Sequence, residues 1–207
     1  MELRLNTTPL KLRKYLGILG ILLPFILVSG NRFEIEPSIS HYYYTGMSVI
    51  FTGILFSFGL FLFSYRGYDK AANEKIGDNM ATNFAGILAI LTALIPTTCL
   101  DHNCLAPNGH DNQILGTIHA ACASGFFIIM GWMSYVQFTK DPLKLRRNRL
   151  YRLCGIVIWA TILILASGKF FHLEITKYDV FIGETIALLF FGTAWLVKGE
   201  TLKKIGF

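Results

Sequence analysis

The sequence predicts an all-α membrane protein, a single bundle of six transmembrane helices with both termini in the cytoplasm. Three observations predict it. Charged residues make up 15% of the chain and the mean hydropathy is +0.50, whereas a soluble domain carries roughly a quarter charged residues. Six apolar stretches, 15–30, 43–65, 80–96, 114–136, 150–168 and 178–197, each approach the roughly 20 residues a helix needs to cross hydrocarbon. Sixteen of the 19 lysines and arginines fall before the first stretch, after the last, in the second and fourth connections, or, as Arg152, at the very start of the fifth stretch. By the positive-inside rule those alternate segments are cytoplasmic.

Lipid offers a backbone no hydrogen-bond partners, so the stretches are read as helices and not as open strands. The first is short, carries Pro24 and follows Arg4, Lys11, Arg13 and Lys14, as a signal peptide would; we read it as an uncleaved span. The third carries Ala81, Ala85, Ala89 and Ala93 at four-residue spacing, and the fourth Gly116, Ala120 and Ser124. Small residues in such stripes let helices approach closely in lipid, which places both spans inside the bundle or facing each other. Asn83 is expected to bond a neighbouring helix. The connections are short, so residues 1–207 form one domain.

The net charge of +6 is therefore a topology signal, and nucleic acid is not an expected partner. Arg146, Arg147 and Arg149 could attract anionic headgroups. Membrane lipids are the expected partners, a homo-oligomer is allowed, and the inner (plasma) membrane is the expected location.

All five histidines, His41, His102, His110, His119 and His172, fall on the exoplasmic half. Two ionisable residues there lie inside spans: His119 about one turn into the fourth, and Glu184 one to two turns into the sixth. Such residues are costly in lipid and face the bundle interior or a cavity. A hydrogen bond between them would lower the cost of both. Three readings of the pair compete. One is a helix-to-helix bond without chemistry. Another is a polar pocket for a headgroup or small molecule, rimmed by Tyr42, Tyr43 and Tyr44. The third is a hydrolase site with His119 and Glu184 catalytic, in which His41, His119, His172 and Glu184 ligate zinc. Ligand spacing such as H-x-x-x-H is absent.

In the third connection, Cys99 and Cys104 flank Asp101 and His102 without any lysine or arginine. A Cys99–Cys104 disulfide is expected if this side is oxidising, with metal binding by Cys99, His102 and Cys104 as the alternative. Cys122 and Cys154 sit in spans and pack as small apolar residues.

Several runs resemble a family of small bacterial polytopic membrane proteins known only as a domain of unknown function. They are Ser38-Ile39-Ser40-His41-Tyr42-Tyr43, Phe63-Ser64-Tyr65-Arg66-Gly67-Tyr68-Asp69 and Asn83-Phe84-Ala85-Gly86, then Ile118-His119-Ala120, Arg147-Asn148-Arg149-Leu150-Tyr151 and Trp195-Leu196-Val197-Lys198-Gly199-Glu200. The resemblance covers most of the chain and implies a fold class without an activity. A more distant likeness is to the alkaline ceramidase and adiponectin-receptor group of membrane hydrolases, which use a serine, an aspartate and three histidines around zinc in seven helices. Ser38, Ser40 and His41 match in kind, but the last span has no H-x-x-x-H pair and one helix is missing. Beside a lipid- or small-molecule-directed hydrolase stand two other functions: a non-catalytic binding, sensing or assembly protein, and a small transporter.

Overall fold

The computed structural model describes residues 8–68, 74–99, 113–171 and 176–200. Six α-helices run in chain order: α1 (Thr8–Gly30), α2 (Ser48–Phe63), α3 (Asp78–Leu94), α4 (Gln113–Trp132), α5 (Leu145–Phe171) and α6 (Asp179–Lys198). A 3₁₀ turn, Ile39–Tyr44, precedes α2, and a π-helical turn, Met133–Gln137, continues α4. No strand occurs among the described residues.

Four of these helices are long and apolar enough to cross a membrane: α1, α4 with its π turn, α5 and α6. This corrects the expected six. The stretch read as 43–65 loses its start to the 3₁₀ turn, leaving α2 apolar but only 16 residues long. The stretch read as 80–96 becomes a 17-residue α3 whose first turn buries Asp78 completely. Hydropathy did not register either event, because Ser38 caps the 3₁₀ turn by accepting from His41 N–H at 3.2 Å, and the Asp78 charge is matched from outside its own helix.

Each helix packs on its neighbours in sequence, and α6 closes on α1, so the six form a ring. Glycines set the spacing at three of the seams. A methyl added at Gly17 of α1 would meet Gly192 O of α6 at 2.7 Å, one at Gly59 of α2 would meet Gly86 O of α3 at 2.9 Å, and one at Gly155 of α5 would meet Gly131 O of α4 at 2.7 Å. All four alanines of the α3 stripe are buried. The α4 stripe is buried at Gly116 only; Ala120 is exposed, and α4 turns Gly116, His119, Cys122, Phe126 and Met130 inward instead. Cys122 and Cys154 are free and buried as expected.

The ring is filled from alternate helices. Phe58 (α2), Phe126 (α4) and Phe191 (α6) form a triangle with centroids 5.4 to 6.4 Å apart. Towards the end holding the first and last described residues, a second triangle joins Tyr65, Phe138 and Trp195. The π turn, closed by Phe138 N–H on Met133 O at 2.9 Å, adds the residue that brings both Gln137 and Phe138 inward. Below this triangle Lys140 reaches Glu74 at 2.8 Å and the buried Asp78 at 3.3 Å. Gly67 takes φ +59° there, which lets the Tyr68 N–H reach Asp78 Oδ2 at 3.0 Å. Asn83 is partly exposed and has no side-chain partner among the described residues, whereas the adjacent Thr82 is buried and bonds Tyr65 O at 3.3 Å. Large apolar side chains such as Phe25, Ile128, Leu163 and Ile164 cover the outer face of the ring.

Candidate functional site

Above the phenylalanine triangle the same three positions of the ring carry polar groups. His119 lies seven residues before Phe126 on α4, and Glu184 seven before Phe191 on α6. Two helical turns separate the members of each pair, so both polar groups point at the same axis. Between them stands Ser40, delivered from the α2 side by the 3₁₀ turn. That turn is held in place by several bonds: Phe181 N–H to Pro37 O at 3.0 Å, Tyr42 O–H to Glu34 O at 3.0 Å, and Tyr44 O–H to Thr97 O.

His119 is 2% exposed and Ser40 6%. His119 Nε2 lies 2.8 Å from Ser40 Oγ and Nδ1 2.7 Å from Ile95 O. A carbonyl can only accept, so the hydrogen of the neutral ring sits on Nδ1 and Nε2 is left to accept from the serine hydroxyl. Glu184 Oε2 accepts the Ile39 N–H at 2.6 Å, which sets the carboxyl group beside Ser40 in the wall of a small cavity. Ser40 has one hydroxyl hydrogen. With Nε2 as the acceptor it goes to His119.

Ser40 and Glu184 also form the polar wall of a cavity of about 30 Å³ closed by Leu23, Phe51, Leu55 and Phe126. By this measure a water needs about 10–15 Å³, so the space takes about two.

Of the residues singled out from sequence, His119 and Glu184 do reach the same turn without bonding each other, His119 at the Ser40 hydroxyl and Glu184 at the Ile39 N–H. Ser40 carried no signal of its own beyond its place in the Ser-Ile-Ser-His run. His41 is turned to its own segment, with Nδ1 2.6 Å from Ser38 Oγ. His172 lies outside the described residues, as do His102, His110 and Cys104. Cys99 is disulfide-bonded. Tyr42 is buried and Tyr44 bonds a loop carbonyl, so these tyrosines fasten the 3₁₀ turn and do not line the cavity. Among the described residues no three His, Cys, Asp or Glu side chains converge as a metal set. Both ring nitrogens of His119 are already hydrogen-bonded.

In comparisons with known proteins, no family model, no curated protein and no solved structure matches the chain.

Proposed function

We propose that this chain is a multi-pass protein of the inner (plasma) membrane that hydrolyses an acyl ester or amide of a lipid or lipid-like molecule, with Ser40 as nucleophile and His119 as its base. The arginine- and lysine-rich end, with both termini, is cytoplasmic in this reading, and the site opens to the other side.

One observation carries the reading: Ser40 Oγ is within hydrogen-bond reach of His119 Nε2 while Ile95 O holds the opposite nitrogen. A nucleophile, a base and a group that orients the base are the parts acyl transfer needs. Ser40 Oγ attacks the acyl carbon as its proton passes to Nε2. The proton then goes to the leaving oxygen or nitrogen. A water in the cavity, deprotonated by the same nitrogen, releases the acyl group from Ser40. The Ile39 N–H, now on the Glu184 carboxyl, and the neighbouring Ser40 N–H are the donors for the developing oxyanion once that side chain swings aside. The apolar walls of the cavity suit the methylenes beside the reacting carbonyl.

A second reading is favoured by the 2.6 Å bond from Ile39 N–H to Glu184. In it the three side chains are a latch between the 3₁₀ turn and the helices, and the protein binds or assembles without reacting. An assay separates the two. Purified protein in nanodiscs is given acyl-ester and acyl-amide lipids, and released fatty acid is measured by mass spectrometry. Hydrolysis is expected, falling about 10²–10⁴-fold in His119→Ala and to background in Ser40→Ala. If the wild-type protein releases no more than folded Ser40→Ala, the latch is the surviving account.

A further inference from the structure

A larger cavity, about 80 Å³, lies at the basic end of the ring. Arg13 of α1, Lys198 of α6, Arg147 of α5 and Lys144 just before α5 line it, against the acids Asp141 and Glu200. Asp141 is already occupied by Lys144 at 3.1 Å. Arg13 and Lys198 have no carboxylate partner among the described residues. They lie against aromatic rings instead: Arg13 5.1 Å from the Tyr65 centroid, and Lys198 4.1 Å from that of Tyr68 and 4.9 Å from that of Phe138. A ring face steadies a cation without neutralising it.

Two atoms here are buried without a hydrogen-bond partner, Arg13 Nε and Asn148 Oδ1. Asn148 is held by its other end, Nδ2 donating to Asp141 O at 2.7 Å. Orphaned donors and acceptors are costly when buried and are rare without a reason. Two cations from α1 and α6 without a carboxylate partner among the described residues, an unused guanidinium N–H and one unused acceptor call for a ligand with several anionic oxygens and a hydroxyl. We infer that this cavity binds a phosphate group. By the water measure the space equals roughly five to eight waters, enough for a phosphate and its ester oxygen. The phosphate comes either from a lipid headgroup or from a soluble phosphate, and the chemistry is shared.

The test has two arms, each run on wild type and on Arg13→Gln, Lys198→Gln and Arg149→Gln. Arg149 is an exposed cation that does not line the cavity. In detergent, inorganic phosphate is titrated and followed by ³¹P NMR. By native mass spectrometry, retention of phosphatidylglycerol is compared with that of diacylglycerol, which lacks the phosphate. Binding in the first arm assigns a soluble phosphate; binding of phosphatidylglycerol alone assigns the headgroup. In either case Arg13→Gln and Lys198→Gln, checked for folding by thermal melting, weaken binding about ten-fold, the worth of one charge-assisted bond. Arg149→Gln leaves it unchanged. The proposal is overturned if neither phosphate nor phosphatidylglycerol binds better than diacylglycerol, or if Arg149→Gln weakens binding as much as the two cavity variants do.

Discussion

Two side chains hold neighbouring atoms of the 3₁₀ turn, His119 at the Ser40 hydroxyl and Glu184 at the Ile39 N–H. The Glu184 bond is to the backbone, and two substitutions of that residue tell its acceptor from its charge. Glu184→Ala strips the acceptor from the Ile39 N–H and leaves a buried donor orphaned, which costs about 1–3 kcal/mol. Glu184→Gln keeps an acceptor oxygen there, so it should melt closer to wild type in a thermal unfolding series. Equal destabilisation by both would show that the bond to Ile39 is not the one that matters. His119 and Glu184 were legible in the sequence because a titratable residue inside an apolar span is conspicuous. Ser40 was not, since a neutral serine in a connection looks like any other loop residue, and only the 3₁₀ turn carries it to the axis.

At the scale of elements, α2, α4 and α6 fill the ring in tiers, and the seven-residue spacings His119–Phe126 and Glu184–Phe191 set the polar tier above the aromatic one. Phe191→Ala should open that floor. It is expected to cost about 3–5 kcal/mol, as removal of a buried aromatic does, and to lower hydrolysis by disordering Glu184 two turns away. The α1–α6 seam is tested at Gly192, where an added methyl would lie 2.6 Å from Gly17 O. Gly192→Ala should destabilise by about 1–3 kcal/mol through overpacking, measurable as a fall in melting temperature in detergent. At the basic end, burial pulls the Lys140 ammonium down, but Glu74 and Asp78 outweigh it and hold the group above the usual lysine range. Its stabilising contribution is present at neutral pH and is lost only as pH rises through that raised value. Lys140→Met leaves the buried Asp78 without a cation and should cost about 3–5 kcal/mol, with part recovered in the double variant with Asp78→Asn. The alanine stripe of α3 was readable because small residues at every fourth position have one structural use in a bundle. The α4 stripe misled, because Ala120 shares that spacing yet the larger side chains of the same helix, His119 and Phe126, had the stronger claim on the interior.

For the whole molecule, apolar runs made the helical class and the order of its elements legible. Helix ends were not: caps and turns are local hydrogen-bond events, and the shortening of α2 by the Ile39–Tyr44 turn leaves no trace in a hydropathy window. A fluorescent protein fused after Phe207 should fold and fluoresce if the basic end is cytoplasmic, whereas a dark fusion with an active phosphatase at the same point would reverse the orientation. The central claim, that Ser40 is an activated nucleophile, is tested most directly by covalent capture. Membranes containing the protein are treated with a long-chain alkyl fluorophosphonate, and the modified peptide is located by mass spectrometry. The account predicts a single adduct on Ser40, formed about 10²-fold or more slowly in His119→Ala. A folded wild-type protein that gains no adduct at Ser40, or gains it at an unchanged rate without His119, would contradict it.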